Sequence, residues 1–263
     1  HLTMLNEMEN DISLFQNQRV MKCFGRLVAK GEVFEGYFEI KNRKILFDCY
    51  EFDVNAVRFL PPVKPTKVVC VGLNYKDNAE EFGLQIPDEP ILFMKPSTAV
   101  IGHEDIIELP SISKRVDYEG ELAIVISKDC KNVSYDVAKD YILGYTCFND
   151  ITARDLQEKD GQWTRSKSFD TFAPLGPYVA LNVNPSNLKI ETRLNGKVMQ
   201  KSNTKNLIFD VFKLIEFISS IMTLRSGDVI ATGTPSGVGM LKNNDIVEVE
   251  IENIGTLKNK AVR

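Results

Sequence analysis

The chain has 263 residues, of which 43% are hydrophobic, and its formal net charge is −4. This length and hydrophobic content are sufficient for one large domain, or for a domain with a small appendage. The acidic balance, with no clustered stripe of lysine and arginine, argues against polynucleotide binding. Apolar runs such as ILFM at residues 91–94 are far shorter than the roughly 20 residues of a membrane helix, so we expect no bilayer span.

The N-terminal part divides into two segments. Residues 1–20 lack the basic and apolar regions of a secretory signal, and Met21 offers a second start, so we interpret them as a leader or an adventitious extension. Residues 21–63 contain the alternating runs CFGRLVAK, VFEGYFEI and KILFDCY, which predict a small antiparallel N-terminal β unit. The PPVKP run at residues 61–65 indicates a linker, and the larger domain is expected to comprise residues 64–263.

The larger domain is rich in predicted strands and poor in helices. Apolar KVVCVGLNY predicts a strand, and further strands are expected at residues 91–94, 119–126, 143–149, 176–183, 188–194, 228–232 and 245–251. Helices are predicted for NYKDNAEEFG, for SYDVAKDYI with Ser134 as its cap, and for NLIFDVFKLIEFISSIM, whose apolar stripe is typical of a core face. The fold class is therefore strand-rich α+β.

The cysteines indicate the cellular compartment. They are odd in number and scattered without a CxxC pair, which favours reduced thiols in a cytoplasmic protein over a disulfide framework; they are Cys23, Cys49, Cys70, Cys130 and Cys147.

The stretch RVDYEGELAIVIS places two carboxylates two residues apart in a predicted strand. Glu119 and Glu121 therefore share one face, where two like charges repel unless something neutralises them. A hard cation such as Mg²⁺, Mn²⁺ or Ca²⁺ would do so, and Asp150 at the end of the strand GYTCFND supplies a third carboxylate. The alternative is an ordinary solvated strand face.

Two further stretches carry candidate site residues. Lys167 lies in WTRSKSFDTFAPLGP, which is too apolar and too rich in proline for a simple solvated loop, although a lone lysine is usually a surface charge. DVIATGTPSGVG at residues 228–239 lacks the GxxxxGK of a phosphate loop. We interpret it as a strand that brings Gly233 and Thr234 to a pocket, where an amide and a hydroxyl bind an anionic oxygen.

Seven motifs occur in the order and spacing of a known family: VGLNY, PILFMKPSTAVIG, DYEGELAIVI, GYTCFNDITARDLQ, WTRSKSFDTFAPLGP, LNGKVMQ and SGDVIATGTPSGVG. Over roughly residues 64–258 the chain resembles the fumarylacetoacetate hydrolase family. The branch it resembles holds 2-hydroxyhepta-2,4-diene-1,7-dioate isomerases, acylpyruvases and oxaloacetate decarboxylases or tautomerases. Residues 21–60 resemble the short N-terminal domain of that branch only loosely.

The resemblance implies a mixed β-sandwich roll, a homodimer, and Mg²⁺ or Mn²⁺ held by Glu119, Glu121 and Asp150. It also implies a set of residues around a small-molecule substrate: Lys167, Gln157, Arg154 and Thr234, with Lys95 and Tyr75 near the pocket rim.

One position departs from the family pattern. Members that hydrolyse C–C bonds carry a histidine after the NY motif and a glutamate three residues later, as a pair that activates water. Here Asn78 and Glu81 occupy those two positions. An amide cannot accept a proton near neutral pH, so the usual general base is missing or replaced.

These features predict an enzyme that forms the metal-stabilised enolate of a 2-oxo or 2-hydroxydienoic acid. Isomerisation, tautomerisation or decarboxylation of a dicarboxylate is favoured, because those reactions do not require an activated water. Hydrolysis of acylpyruvates is the alternative, with Glu80 or Glu81 acting alone. A metal-binding or ligand-binding protein without catalysis is a third hypothesis, and Lys167 beside three carboxylates argues against it.

Overall fold

The computed structural model describes residues 20–81, 83 and 85–263, and for Asn78 and Glu81 it describes the backbone only. The strands of the N-terminal part are β1 (Met21–Ala29), β2 (Glu32–Lys41), β3 (Lys44–Phe47), β4 (Tyr50–Asp53) and β5 (Arg58–Phe59). The next strands are β6 (Lys67–Val71), β7 (Leu92–Pro96), β8 (Val100–Ile101), β9 (Ile106–Glu108), β10 (Val116–Tyr118), β11 (Gly120–Ile126), β12 (Ile142–Asn149), β13 (Thr152–Ala153) and β14 (Ala173–Ala180). The last strands are β15 (Lys189–Leu194), β16 (Lys197–Asn203), β17 (Val229–Ala231), β18 (Gly239–Met240), β19 (Ile246–Ile251) and β20 (Gly255–Val262).

The α-helices of the described residues are α1 (Lys76–Glu81), α2 (Arg154–Asp160), α3 (Thr164–Lys167) and α4 (Val211–Ile221). Within the described part of the chain, no helix is long and apolar enough to span a bilayer.

A large mixed sheet runs through the molecule in the order β4-β3-β2-β1-β14-β12-β11-β17-β6-β7. Its neighbours along this path are antiparallel except β17 and β6, which are parallel. A second sheet has the order β16-β15-β19-β20-β9, and a small third sheet joins β13, β10 and β18. This arrangement confirms the predicted strand-rich α+β fold with a mixed β-sandwich.

The main core lies between the large sheet and the layer that covers one of its faces. Leu122 and Ile124 of β11 pack in one cluster with Ile215 and Ile218 of α4 and with Val249 of β19. These side chains are at most 1% exposed. The apolar stripe of α4 is therefore a core face, as the sequence predicts.

The N-terminal strands form a meander that joins the large sheet. Phe38, Phe47 and Phe52 are buried together in a separate cluster, and β1 pairs with β14 at Cys23 and Ala180. The meander therefore shares a sheet with the strands that follow. The division of the chain at residue 63, and the interpretation of residues 1–20, stay predictions; residues 1–19 lie outside the described part of the chain.

Two predicted helices differ from the structure. The segment Tyr135–Tyr141 is 3₁₀-helical, and Ser134 makes no capping hydrogen bond with its side chain. The reason is tertiary, because the Tyr135 N–H donates to Glu216 and its hydroxyl donates to Asp210, both at the neighbouring helix α4. Helix α4 begins only at Val211, since the Asp210 carboxylate accepts from the N–H groups of residues 212 and 213 and caps the helix there.

Candidate active site

Three carboxylates meet where β11 and β12 end side by side. Gly120 pairs with Asn149 across these strands, which brings Glu119, Glu121 and Asp150 together. One oxygen from each carboxylate lies within 4.8 Å of the others. Glu119 is 7% exposed and the other two are 1% exposed. The sequence pattern therefore identifies a real cluster of buried acids rather than a solvated strand face.

Glycines allow the close approach of the elements around this cluster. A Cβ on Gly120, between the two glutamates, would collide with the Thr192 hydroxyl of the second sheet. Gly233 has φ +102°, and a Cβ there would lie 2.9 Å from Asn74 Cβ. Both positions therefore require glycine.

The donor set fits a hard divalent cation. All candidate ligands are carboxylate oxygens, which Mg²⁺ and Mn²⁺ prefer, and three of them leave about three positions for water or substrate. Burial, and then the charges of Asp150 and Glu119, raise the pKa of Glu121 well above its usual range. A bound dication would offset the repulsion among these carboxylates and favour the ionised form of Glu121.

Lys167 lies against the carboxylates. Its Nζ donates to Asp150 Oδ2 at 2.6 Å, to Thr152 Oγ1 at 2.7 Å and to Glu119 Oε2 at 3.2 Å. Burial opposes the charged form, but Asp150 and Glu119 outweigh it and raise the pKa of Lys167. Lys167 is therefore buried beside the candidate metal ligands, and it is no surface charge.

Arg154 and Gln157 lie together on α2. Arg154 donates to Glu119 Oε1, to Asp117 Oδ2 at 3.1 Å and to Gln157 Oε1 at 2.8 Å. Burial favours protonation of Glu119, but Lys167 and Arg154 outweigh it and lower the pKa of Glu119 to about 2. Both α2 residues line the cavity above the carboxylates, as the sequence predicts for substrate-binding residues.

Gly233 and Thr234 are placed near the carboxylates, with partners that the sequence does not reveal. The Gly233 N–H donates to Glu121 Oε2 at 3.0 Å, so the anionic oxygen that it binds belongs to the chain itself. The Thr234 hydroxyl donates to Gly120 O and accepts from Gln200 Nε2, while Gln200 also accepts from the Gly120 N–H. Thr234 lines the cavity, and Gln200 fixes the backbone between the two glutamates.

The predicted rim position of Tyr75 and Lys95 is wrong, because both are 0% exposed. Lys95 Nζ donates to the carbonyls of Ile151, Lys167 and Phe172 at 2.7 to 2.8 Å. It also forms a buried ion pair with Asp150 Oδ1 at 2.7 Å. Lys95 therefore holds the segments that carry Asp150 and Lys167. The Tyr75 hydroxyl is buried without a hydrogen-bond partner among the described residues.

Asn78 and Glu81 lie on helix α1, but their side chains fall outside the described part of the structure. Their predicted catalytic roles stay predictions.

Glu119, Glu121 and Lys167 form the floor of a cavity of about 630 Å³, and Asp150 lies against Lys167. Its walls include residues that the sequence analysis missed, among them Phe93, Trp163, Arg115, Glu158 and Val238. Phe93 packs edge-on against Trp163, with ring centroids 5.1 Å apart, and Lys167 Nζ lies 4.7 Å from the centre of the Phe93 ring. The lining therefore combines an aromatic, apolar part with arginine side chains. Such a cavity suits a small anionic molecule that reaches the carboxylates and the ammonium group.

The fold and this cluster define a candidate metal-dependent enzyme site, and comparison with known proteins identifies the family. Residues 67–262 match the family described as fumarylacetoacetate (FAA) hydrolase C-terminal. The chain therefore belongs to the fumarylacetoacetate hydrolase family, as its motifs predict.

Three relatives illustrate the match. An uncharacterized protein of Archaeoglobus fulgidus is 69% identical over 239 residues, which cover 91% of this chain and 96% of that protein. Oxaloacetate tautomerase YisK of Bacillus subtilis is 42% identical over 267 residues, covering 94% and 89%. The crystal structure of 5-carboxymethyl-2-hydroxymuconate delta-isomerase from Mycobacterium smegmatis is 43% identical, with a TM-score of 0.86 over 92% of this chain and 98% of that one.

Proposed function

We propose that the protein is a divalent-metal-dependent enzyme that interconverts the keto and enol forms of a 2-oxo dicarboxylate such as oxaloacetate. The observation that carries this proposal is the position of Lys167, whose ammonium group contacts two of the three clustered carboxylates at the floor of the cavity. Relatives named as an oxaloacetate tautomerase and a hydroxymuconate isomerase support the reaction class. Decarboxylation of the same substrate, and isomerisation of a 2-hydroxydienoic acid, share the enolate chemistry.

The site residues have different roles in this proposal. Mg²⁺ or Mn²⁺ held by Glu119, Glu121 and Asp150 would polarise the keto group of the substrate. The Nζ of Lys167, which lies against Asp150 and Glu119 at the cavity floor, would stabilise negative charge that develops at the substrate oxygen. Arg154 and Gln157, which contact each other and line the cavity, would orient the substrate carboxylate.

Water is partly excluded by the aromatic wall of Phe93 and Trp163. Tautomerisation moves a proton between C3 and the keto oxygen and needs no activated water. Hydrolysis of an acylpyruvate does need one, and Asn78 replaces the histidine that would serve it. This favours tautomerisation over C–C bond hydrolysis. The homodimer and the cytoplasmic location stay predictions from the sequence.

The test compares three reactions of one preparation. Freshly dissolved enol-oxaloacetate is followed by its ultraviolet absorbance, pyruvate formation reports decarboxylation, and loss of acetylpyruvate reports hydrolysis. We expect tautomerisation to be the fastest reaction with Mg²⁺ or Mn²⁺ and to be lost with EDTA. Asp150→Asn should abolish it, whereas Asp170→Asn, an exposed aspartate outside the cavity, should not change it.

Efficient cleavage of acetylpyruvate with slow tautomerisation would replace this proposal with the hydrolase function. Absence of all three reactions in metal-loaded protein would favour a metal-binding or ligand-binding protein.

A further inference from the structure

Arg115 stands at the outer wall of the cavity that contains the clustered carboxylates. Its side chain is 53% exposed. Its Nε and Nη2 donate to Asp117 Oδ1 and Oδ2 at 3.1 and 3.2 Å, so one edge of the guanidinium is fixed. Its Nη1 has no hydrogen-bond partner among the described residues, so part of the guanidinium remains available to a ligand.

The backbone around Arg115 is anchored to the start of helix α2. The Ser113 hydroxyl donates to Asp155 Oδ1 at 2.6 Å, and the Lys114 N–H donates to Asp155 Oδ2 at 2.8 Å. The Arg154 N–H donates to Arg115 O at 2.8 Å. Arg115 is therefore preorganised beside Arg154 and Gln157, and a ligand that binds it does not have to order a loop.

Asp117 connects the outer wall to the floor of the cavity. This carboxylate is 0% exposed and is shared by Arg115 and Arg154, so the three groups carry a formal charge of plus one. Arg154 also reaches Glu119, one of the candidate metal ligands. Arg115 is thus separated from the floor by Asp117 and Arg154, and a molecule lying across this wall would span from the carboxylates to Arg115.

We propose that Arg115 determines specificity for dicarboxylates by binding the distal carboxylate of a 2-oxo dicarboxylate whose 2-oxo end lies at the cavity floor. This inference rests on the proposed function. A guanidinium matches the two oxygens of a carboxylate, and the aromatic rings of Phe93 and Trp163, which also line the cavity, offer no cationic partner. The exposed Glu158 lines the same cavity and opposes this attraction.

The test uses Trp163, which is the single tryptophan of the chain and lines the cavity, as a fluorescent reporter. The ligands are oxamate and N-oxalylglycine, which share an oxalyl amide end and differ by the carboxymethyl group that carries the distal carboxylate. With Mg²⁺ present, we expect wild type to bind N-oxalylglycine roughly 10- to 100-fold more tightly than oxamate. Arg115→Met should reduce this ratio to within about threefold and leave oxamate affinity unchanged. Arg115→Lys should retain part of the ratio, since it keeps the charge but not the planar fork.

Two further variants complete the test, one as a control without an expected effect and one with an opposite effect. Arg225→Met should change neither affinity, because Arg225 is also exposed and paired with an aspartate, Asp129, but does not line the cavity. Glu158→Gln should raise the ratio about two- to threefold, a typical effect for an exposed charge.

Three results would overturn the inference: a wild type without preference for N-oxalylglycine, an Arg115→Met variant that keeps the preference, or one that weakens both ligands equally. The outcome is separable from the proposed function. If wild type does not tautomerise oxaloacetate but the ratio still falls in Arg115→Met, the proposed reaction is wrong and the distal carboxylate site stands.

Discussion

The floor and the mouth of the cavity are built in opposite ways. The floor is lined by Glu119, Glu121 and Lys167, and the buried Asp150 and Lys95 lie next to it. All five are at most 7% exposed and are linked to one another or to fixed backbone groups. The mouth is the outer wall of the cavity, which includes Arg115, with a side chain that is 53% exposed, and the exposed Glu158. Groups locked by strand pairing suit a fixed chemical step, whereas exposed groups on turns and helices suit discrimination between substrates.

Removing a candidate metal ligand from the floor is the strongest test of this difference between floor and mouth. Glu121→Gln keeps the size of the side chain and removes a carboxylate whose pKa is raised by burial and by its acidic neighbours. We expect activity to be abolished and Mn²⁺ affinity to fall at least about 100-fold, because residues that only orient a ligand are already worth about 10- to 100-fold. The melting temperature should be kept or rise, since a buried acid becomes neutral.

Isothermal calorimetry with Mn²⁺ checks this expectation. Glu108→Gln is the matched control, because Glu108 is exposed and outside the cavity. Intact Mn²⁺ binding in Glu121→Gln would place the metal elsewhere.

Lys95 provides the largest expected effect on folding. In Lys95→Met three buried carbonyls and Asp150 lose their cationic partner. Breaking a buried ion pair from one side typically costs about 3–5 kcal/mol, and we expect a loss of this size in the free energy of unfolding. Urea denaturation measures it, with Lys22→Met as the control, since Lys22 is exposed on β1 and should change stability by less than about 0.5 kcal/mol. A small loss in Lys95→Met would contradict a structural role.

Lys167→Met separates catalysis from metal binding within the floor. The turnover number should fall by about 10²- to 10³-fold, the usual cost of losing one group that stabilises a developing oxyanion. Mn²⁺ affinity should stay the same or rise, because the ammonium group no longer competes for Asp150 and Glu119. The pair of measurements is decisive: a parallel loss of Mn²⁺ binding and turnover would mean that Lys167 organises the carboxylates instead.

The same contrast explains what the sequence could predict. The floor was predictable because alternation along a strand and adjacent strand ends bring Glu119, Glu121 and Asp150 together. The mouth was missed, although Arg115 and Asp117 continue the same alternation by two residues as the glutamates. That two-residue spacing was the sequence signal that could have identified Arg115 and Asp117. Trp163 gave none, because its place in the wall depends on packing against Phe93, which is distant in sequence.

Errors of prediction have the same origin in tertiary contacts. The family resemblance placed Lys95 at the rim, whereas carbonyls from three separate positions enclose it. The segment after Ser134 has helical spacing, but its contacts with α4 favour a 3₁₀ conformation. Neither set of partners can be identified from local sequence.

The smallest expected effect concerns Asn78 on α1, where the family's C–C hydrolases carry histidine. Glu81 lies three residues further along, so the two positions share a helix face. Asn78→His would supply a group with a pKa near neutrality at that face. General-base assistance contributes roughly 10² to 10⁴ in rate, and we expect kcat/KM for acetylpyruvate to rise at least about tenfold, a small part of that range because the surroundings are not tuned for it.

Lys76→His, which places an imidazole at an exposed position of the same helix, should give no gain. Oxaloacetate tautomerisation, which depends on the floor, should change less than twofold or so in both variants. If wild type already cleaves acetylpyruvate efficiently and Asn78→His adds nothing, another residue is the base, and the hydrolase function replaces the tautomerase function proposed above.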